Sequence, residues 1–367
     1  MNLNQIVSSC YIHIPFCNSI CSYCDFCKLF YNERLVDKYL ESLEKEIKKI
    51  YKGEVFNTIY IGGGTPSSLS LKQLKRLFEI LEVLKKNSNI EYTVECNFDS
   101  VTFEKLELMK LNGVNRLSFG MESINKNNLD VLDRREHKER IRNVISLCRD
   151  LGFNNINIDL MYAIPGEGLE ELKEDIDFLL SLELEHISCY SLIIEENTKL
   201  FIKKTEYIDD ELDFLMYNYI CDRLKEKYVH YEISNFCKKG YESRHNLCYW
   251  NNEKYYGFGL SAASYIDNIR YTNTRSINKY LSGNYLLDKE ELTKSDIMSY
   301  EMILGLRKLN GVDKNNFYNK YNISINDCFN IKSLFDKGLL KDEDGYIKIE
   351  EKNLYISNEI LVYFIKE

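Results

Sequence analysis

The chain has 367 residues and is 44% hydrophobic, enough to bury a large core as one big domain and a small one. Its 57 acidic and 48 basic side chains leave a net charge of −9 with no basic arm, which argues against nucleic acid as a partner, and no apolar stretch reaches the roughly 18 residues of a membrane span. Twelve cysteines without an apolar segment at 1–9 are expected to be free or metal-bound thiols in a reducing, cytoplasmic setting.

In chain order, a strand at Cys10–Ile14 runs into Cys17, Cys21 and Cys24, a CxxxCxxC triplet. Three thiolates so spaced can hold three irons of a [4Fe–4S] cube and leave the fourth open to a small ligand, the place for S-adenosylmethionine. A structural zinc needs a second cysteine or histidine pair within finger distance, and none follows. Cys27, three residues on, can replace one of the three or ligate nothing.

Further strand-like runs are Thr58–Ile61, Glu91–Glu95, Arg116–Phe119, Asn155–Leu160 and His186–Leu192. They alternate with amphipathic stretches at Glu33–Lys52, Lys72–Lys85, Thr102–Asn112, Lys138–Leu151 and Glu170–Ser181. Strand then helix, repeated about six times, predicts parallel strands with crossover helices, an α/β fold closed into a partial (β/α)6 barrel. Chemistry in such barrels lies at the C-terminal strand ends, where the candidates fall. Gly62 to Thr65 follow the second strand, where missing side chains let backbone approach a ligand; a tight turn is the plainer reading. Glu95, suited to ribose hydroxyls, Glu122 and Asp159 sit at later strand ends, with a salt bridge as the alternative for Glu95. Arg135, beside Arg134, can pair bidentately with a carboxylate or form half of a solvated surface pair.

The only three prolines, Pro15, Pro66 and Pro165, each stand in a motif-like loop and set its backbone. Past the barrel, Leu292–Lys308 reads as a helix, Asn315–Tyr321 and Asn326–Lys337 as short ones, and Gly338–Ile349 as a hairpin turning at Asp-Gly. The predicted division is 1–290 for the barrel and 291–367 for a small helical, winged-helix-like domain. That segment lacks a basic recognition face.

These motifs, with Tyr-Ile-His-Ile-Pro-Phe-Cys at 11–17, Ile-Gly-Gly-Gly-Thr-Pro-Ser at 61–67, Arg-Leu-Ser-Phe-Gly at 116–120 and His-Asn-Leu-Cys-Tyr-Trp at 245–250, resemble the radical S-adenosylmethionine superfamily and its coproporphyrinogen oxidase-like branch. The resemblance implies a [4Fe–4S] cluster on Cys17, Cys21 and Cys24 with Tyr23 beside it. It also implies adenosylmethionine contacts from Tyr11, Gly63, Gly64, Thr65, Glu95, Glu122, Arg135 and Asp159. Glu122 departs from the glutamine usual there. Within the branch, the short stretch before Cys17, Phe26 where the oxygen-independent coproporphyrinogen III dehydrogenase has cysteine, and the HNxxYW segment resemble the HemW type, whose members look like heme chaperones. That resemblance implies heme as cargo, heme proteins as recipients, peripheral contact with membrane-bound recipients, a homodimer, and His245 as a heme contact with Tyr249 and Trp250 on the porphyrin face. A hydrogen-bonded His245 and a core Trp250 are the plainer alternative. Cys248 is a second candidate ligand, a soft one, His13 and His137 are weaker alternatives, and no residue is assigned a catalytic role.

Overall fold

The computed structural model describes residues 6–365; part of the N-terminal segment considered above lies outside them. Six parallel strands, β1 (Ser9–Ile14), β2 (Val55–Gly63), β3 (Lys85–Cys96), β4 (Arg116–Glu122), β5 (Ile156–Tyr162) and β6 (His186–Ser191), stand side by side in sequence order. The crossovers carry α1 (Glu33–Ile50), α2 (Leu71–Leu81), α3 (Phe103–Leu111), α4 (Lys126–Leu132), α5 (Lys138–Asp150) and α6 (Leu169–Leu180). Helix starts follow local chemistry: Asn32 and Thr102 side chains accept from the third residue of α1 and α3, and Ser70 with Gln73 forms a reciprocal capping box on α2.

Period-two alternation sorts the strand residues between two environments. On β4, Leu117, Phe119 and Met121 are fully buried beneath the helices, while Arg116, Ser118, Gly120 and Glu122 take the alternate positions and line the lumen. On β5, Ile156, Ile158 and Leu160 pack outward, and Asn157 and Asp159 face in. The helix-covered side is therefore the hydrophobic core, and these strands turn their polar side chains to the lumen.

The sheet is wider than six strands. β7 (Val229–Glu232) and β8 (Asn235–Cys237) extend it antiparallel beyond β6. On the other flank β9 (Tyr255–Phe258) pairs parallel with β1, Ser9 opposite Tyr255, and is followed by antiparallel β10 (Ala263–Ile266), β11 (Ile269–Asn273) and β12 (Leu286–Glu291). Between β6 and β9 lie α7 (Lys199–Ile202), α8 (Asp210–Leu224) and α9 (Arg244–Trp250). A buried carboxylate ties the β9 flank to α1: Glu46 accepts from Gly259 N–H at 2.8 Å, Asn273 at 2.5 Å and Tyr280 at 2.5 Å. After α10 (Ile277–Leu281) and α11 (Lys294–Gly305) come α12 (Lys314–Tyr321) and a three-stranded wing built on the hairpin Leu340–Glu343 and Tyr346–Ile349. The stretch expected to be helical at Asn326–Lys337 is broken: Ile325–Cys328 and Lys332–Asp336 are separate single turns.

Candidate cluster and cofactor site

The loop after β1 carries the cysteine triplet and is pinned at three points. Phe16–Cys17 pairs with Leu29–Phe30, Ser22 N–H and hydroxyl donate to the Leu132 and Val131 carbonyls at 3.0 and 2.6 Å, and Leu200 N–H donates to Ser22 O at 3.1 Å. Cys17, Cys21 and Cys24 line one wall of a cavity of about 450 Å³ that opens at the C-terminal strand ends. None of the three is joined in a disulfide. Burial pushes Cys17 up to about 11 and Cys24 upward too, so thiolates there call for a positive partner, which a bound cluster supplies. Among the described residues no three His, Cys, Asp or Glu side chains converge on a single metal ion, a geometry a cube with spaced irons does not require. Cys27 is outside the lining, its sulfur 3.9 Å from the Arg275 carbonyl.

Gly63, Gly64, Thr65, Glu95, Glu122, Asp159 and Tyr23 all line this cavity. The glycines serve the fold as much as a ligand. A Cβ on Gly62 would lie 2.6 Å from the Glu95 carboxyl, and one on Gly64 would lie 2.8 Å from the Ile14, Pro15 and Phe16 backbone. Gly63 holds φ +112, the left-handed side that favours glycine, and donates its N–H to Glu95 at 2.9 Å. Tyr60 donates to the other Glu95 oxygen at 2.7 Å. Burial raises the Glu95 and Glu122 carboxyls to about 7 and lifts Asp159 as well. Tyr23 donates to Glu122 at 3.0 Å, so the glutamate that replaces the expected glutamine has a protein donor of its own.

Three expected contacts lie outside the cavity lining. Arg135 is exposed, and the cavity arginine is Arg134. Asp133 takes the left-handed conformation at φ 53 as it ends α4, and that turn directs the first arginine inward. Arg134 reaches Glu136 at 3.0 Å, Glu122 at 3.7 Å and the Cys21 sulfur at 3.7 Å. Tyr11 is bonded to His13 Nδ1 at 3.0 Å and is not part of the cavity lining.

His245 is the third. It is 1% exposed, on α9, with Nδ1 2.8 Å from the Thr58 hydroxyl and Nε2 2.8 Å from the Tyr249 hydroxyl. Its ring stacks on Tyr60 at 5.1 Å, and burial lowers its pKa to about 3. Helical i, i+4 spacing places His245 and Tyr249 on one inward face, and both ring nitrogens are engaged within the fold. Cys248 and His13 are also buried, at 2% and 4% exposure. Tyr249 packs edge-on to Tyr255, and Trp250 lies under the Arg307 guanidinium at 4.9 Å, lining a separate cleft beside the C-terminal segment. Asn246 is the residue of the motif that lines the barrel cavity.

The Radical SAM superfamily profile matches residues 11–179, and the HemN C-terminal domain profile matches 292–356. A Bacillus subtilis protein named Heme chaperone HemW is 40% identical over 98% of this chain and 100% of its own. The chain belongs to the HemW family. A second HemW, from Lactococcus lactis, is 37% identical over 98% of both chains. A Danio rerio mitochondrial protein named Radical S-adenosyl methionine domain-containing protein 1 is 34% identical over 71% of this chain and 60% of its own. The Escherichia coli coproporphyrinogen III oxidase HemN superposes with TM-score 0.88 over 98% of this chain and 90% of that one at 22% identity, so this chain shares its fold.

Sequence reasoning passed over Arg116, Asn97, Ser118, Asn157, Ser188, Tyr190 and Asn246, all of which line the cavity. The signal for several was present as polar residues at alternate positions in otherwise apolar strands.

Proposed function

We propose that this protein binds a [4Fe–4S] cluster on Cys17, Cys21 and Cys24, holds S-adenosylmethionine in the barrel cavity, and carries heme to recipient heme proteins in the cytoplasm. Full-length similarity to proteins named heme chaperones carries the cargo part of this reading. The cysteine wall facing buried carboxylates and Arg134 across one cavity supports the cofactor part. Among the described residues no helix is long and apolar enough to cross a membrane.

When bound, the cluster would supply an electron to the sulfonium of adenosylmethionine. The chain's own groups do the placing. Arg134 is suited to the methionyl carboxylate because its guanidinium reaches the Cys21 sulfur that marks the cluster edge. Glu95, fixed by Tyr60 and Gly63, and Asp159, fixed by Asn157 at 2.7 Å, present acceptors to hydroxyls and amines. The Gly63–Thr65 backbone closes the side next to Cys17, where Thr65 donates to the sulfur at 3.6 Å.

The test is anaerobic cluster reconstitution followed by heme titration, with coproporphyrinogen III turnover run in parallel. Heme binding and its transfer to an apo heme protein, without protoporphyrinogen, is the expected result. Product formation with 5′-deoxyadenosine would overturn it. Alanine at Cys17, Cys21 or Cys24 should abolish the iron–sulfur absorbance, whereas Cys27→Ala should keep it.

A further inference from the structure

Two buried arginines share the barrel cavity, and only one is paired. Arg134 has Glu122 and Glu136. Arg116, at the start of β4, is 2% exposed, and its guanidinium makes no hydrogen bond or ion pair among the described residues. Its Nε is sealed without a partner, while the side chain lines the inner end of the cavity. Its register neighbour on β3, Thr93, is also fully buried with an unpartnered hydroxyl.

Glu95 and Asp159 share the lumen and feel the Arg116 charge, but among the described residues neither comes within ion-pair distance of it. Glu95 is held in place by Tyr60 and Gly63, and Asp159 by Asn157. Leaving a charge buried and unpaired is costly, so a lone guanidinium kept in a polar cavity calls for an anion there. A guanidinium presents donors in a planar fork that matches a carboxylate bidentately.

We propose that Arg116 anchors a carboxylate-binding subsite at the inner end of the barrel cavity, distinct from the end where Arg134 meets the cysteines. The cavity of about 450 Å³ is shared with adenosylmethionine in the function proposed above, which limits the occupant to a small organic acid or one arm of a larger ligand seated at the mouth. Both present the same group. The arm would be a tetrapyrrole propionate, and that source alone rests on the heme reading.

The test uses anaerobically reconstituted protein, wild type and Arg116→Gln. Thermal unfolding is compared in sodium propionate and sodium chloride at equal ionic strength, and heme and heme dimethyl ester are titrated by absorbance. A melting temperature raised by propionate in wild type and unmoved in Arg116→Gln supports the subsite. About tenfold weaker binding of the diester, lost in Arg116→Gln, supports it also and assigns the carboxylate to a propionate arm. Equal heme and diester binding beside a propionate response assigns it to a free acid. A propionate response without any heme binding sinks the heme reading and leaves the subsite standing. The proposal is overturned if wild type ignores both the propionate and the esterification, or if Arg116→Gln responds as wild type does. Should that variant fail to fold, Arg116→Lys, which keeps the charge and loses the planar fork, replaces it: a weakened response supports the subsite and one equal to wild type overturns it.

Discussion

Replacing His245 with alanine separates a heme ligand from an internal strut. The substitution leaves the Thr58 and Tyr249 hydroxyls without their partner and opens a void against Tyr60. Two orphaned hydroxyls at about 1–2 kcal/mol each and a small void give a loss of roughly 3–5 kcal/mol. With an unfolding entropy of about 2 cal/mol/K per residue, that lowers the melting temperature by roughly 4–6 °C. The loss should appear without heme, by circular dichroism on the cluster-loaded protein. Its pH dependence has a definite sign. The folded imidazole sits at about 3 against 6.5 unfolded, so the unfolded chain takes the proton first and wild-type stability falls as pH drops below 6.5. The gap between wild type and His245→Ala should therefore narrow by about 1.5–2 kcal/mol from pH 6.5 to 5. A variant that melts within a degree of wild type but binds heme tenfold more weakly would refute this reasoning and make the histidine a ligand.

Arg134→Ala should weaken adenosylmethionine binding to the reconstituted protein by about 100-fold, the scale of a lost charge-assisted fork, while Arg135→Ala leaves it unchanged in the same calorimetric titration. Gly64→Ala drives a Cβ to 2.8 Å from three backbone atoms that cannot move independently and should cost several-fold more melting temperature than Gly113→Ala, whose φ of +84 is strained but whose surroundings are open. Burial raises Glu46 to about 7, so the folded chain holds that proton more tightly and wild-type stability falls as pH rises from 4.5 to 7. Melting curves of Glu46→Gln against wild type should show the wild-type advantage shrinking by about 3 kcal/mol between pH 4.5 and 8, and parallel curves would count against this.

The barrel was legible because each unit writes its own signature: a short apolar run, then an amphipathic stretch opened by Asn32, Ser70 or Thr102. The cysteine loop and the polar strand ends were legible for the same local reason. The choice between Arg134 and Arg135 was not, since it hangs on the left-handed turn of Asp133, a conformation that aspartate permits but does not demand. Nor was the state of His245. Its partners Thr58 and Tyr60 lie nearly two hundred positions away on β2, and nothing local distinguishes a histidine held by two hydroxyls from one left open to iron. The β9 flank was missed because β9 is a strand of four residues whose partner, β1, is the first strand of the chain.

That pairing has a consequence for the order in which the molecule is made. During synthesis β1 emerges first and acquires β2 on one side within about fifty residues, but its other edge stays bare until Tyr255–Phe258 arrive. Until then the strand that launches the cysteine loop borders solvent, and the wall behind the thiols closes only when Phe258 has been added, well over two hundred residues after Cys17. Ribosome-bound chains arrested before and after residue 258 should thus differ in how fast a thiol reagent reaches Cys17, with the shorter chain labelled faster.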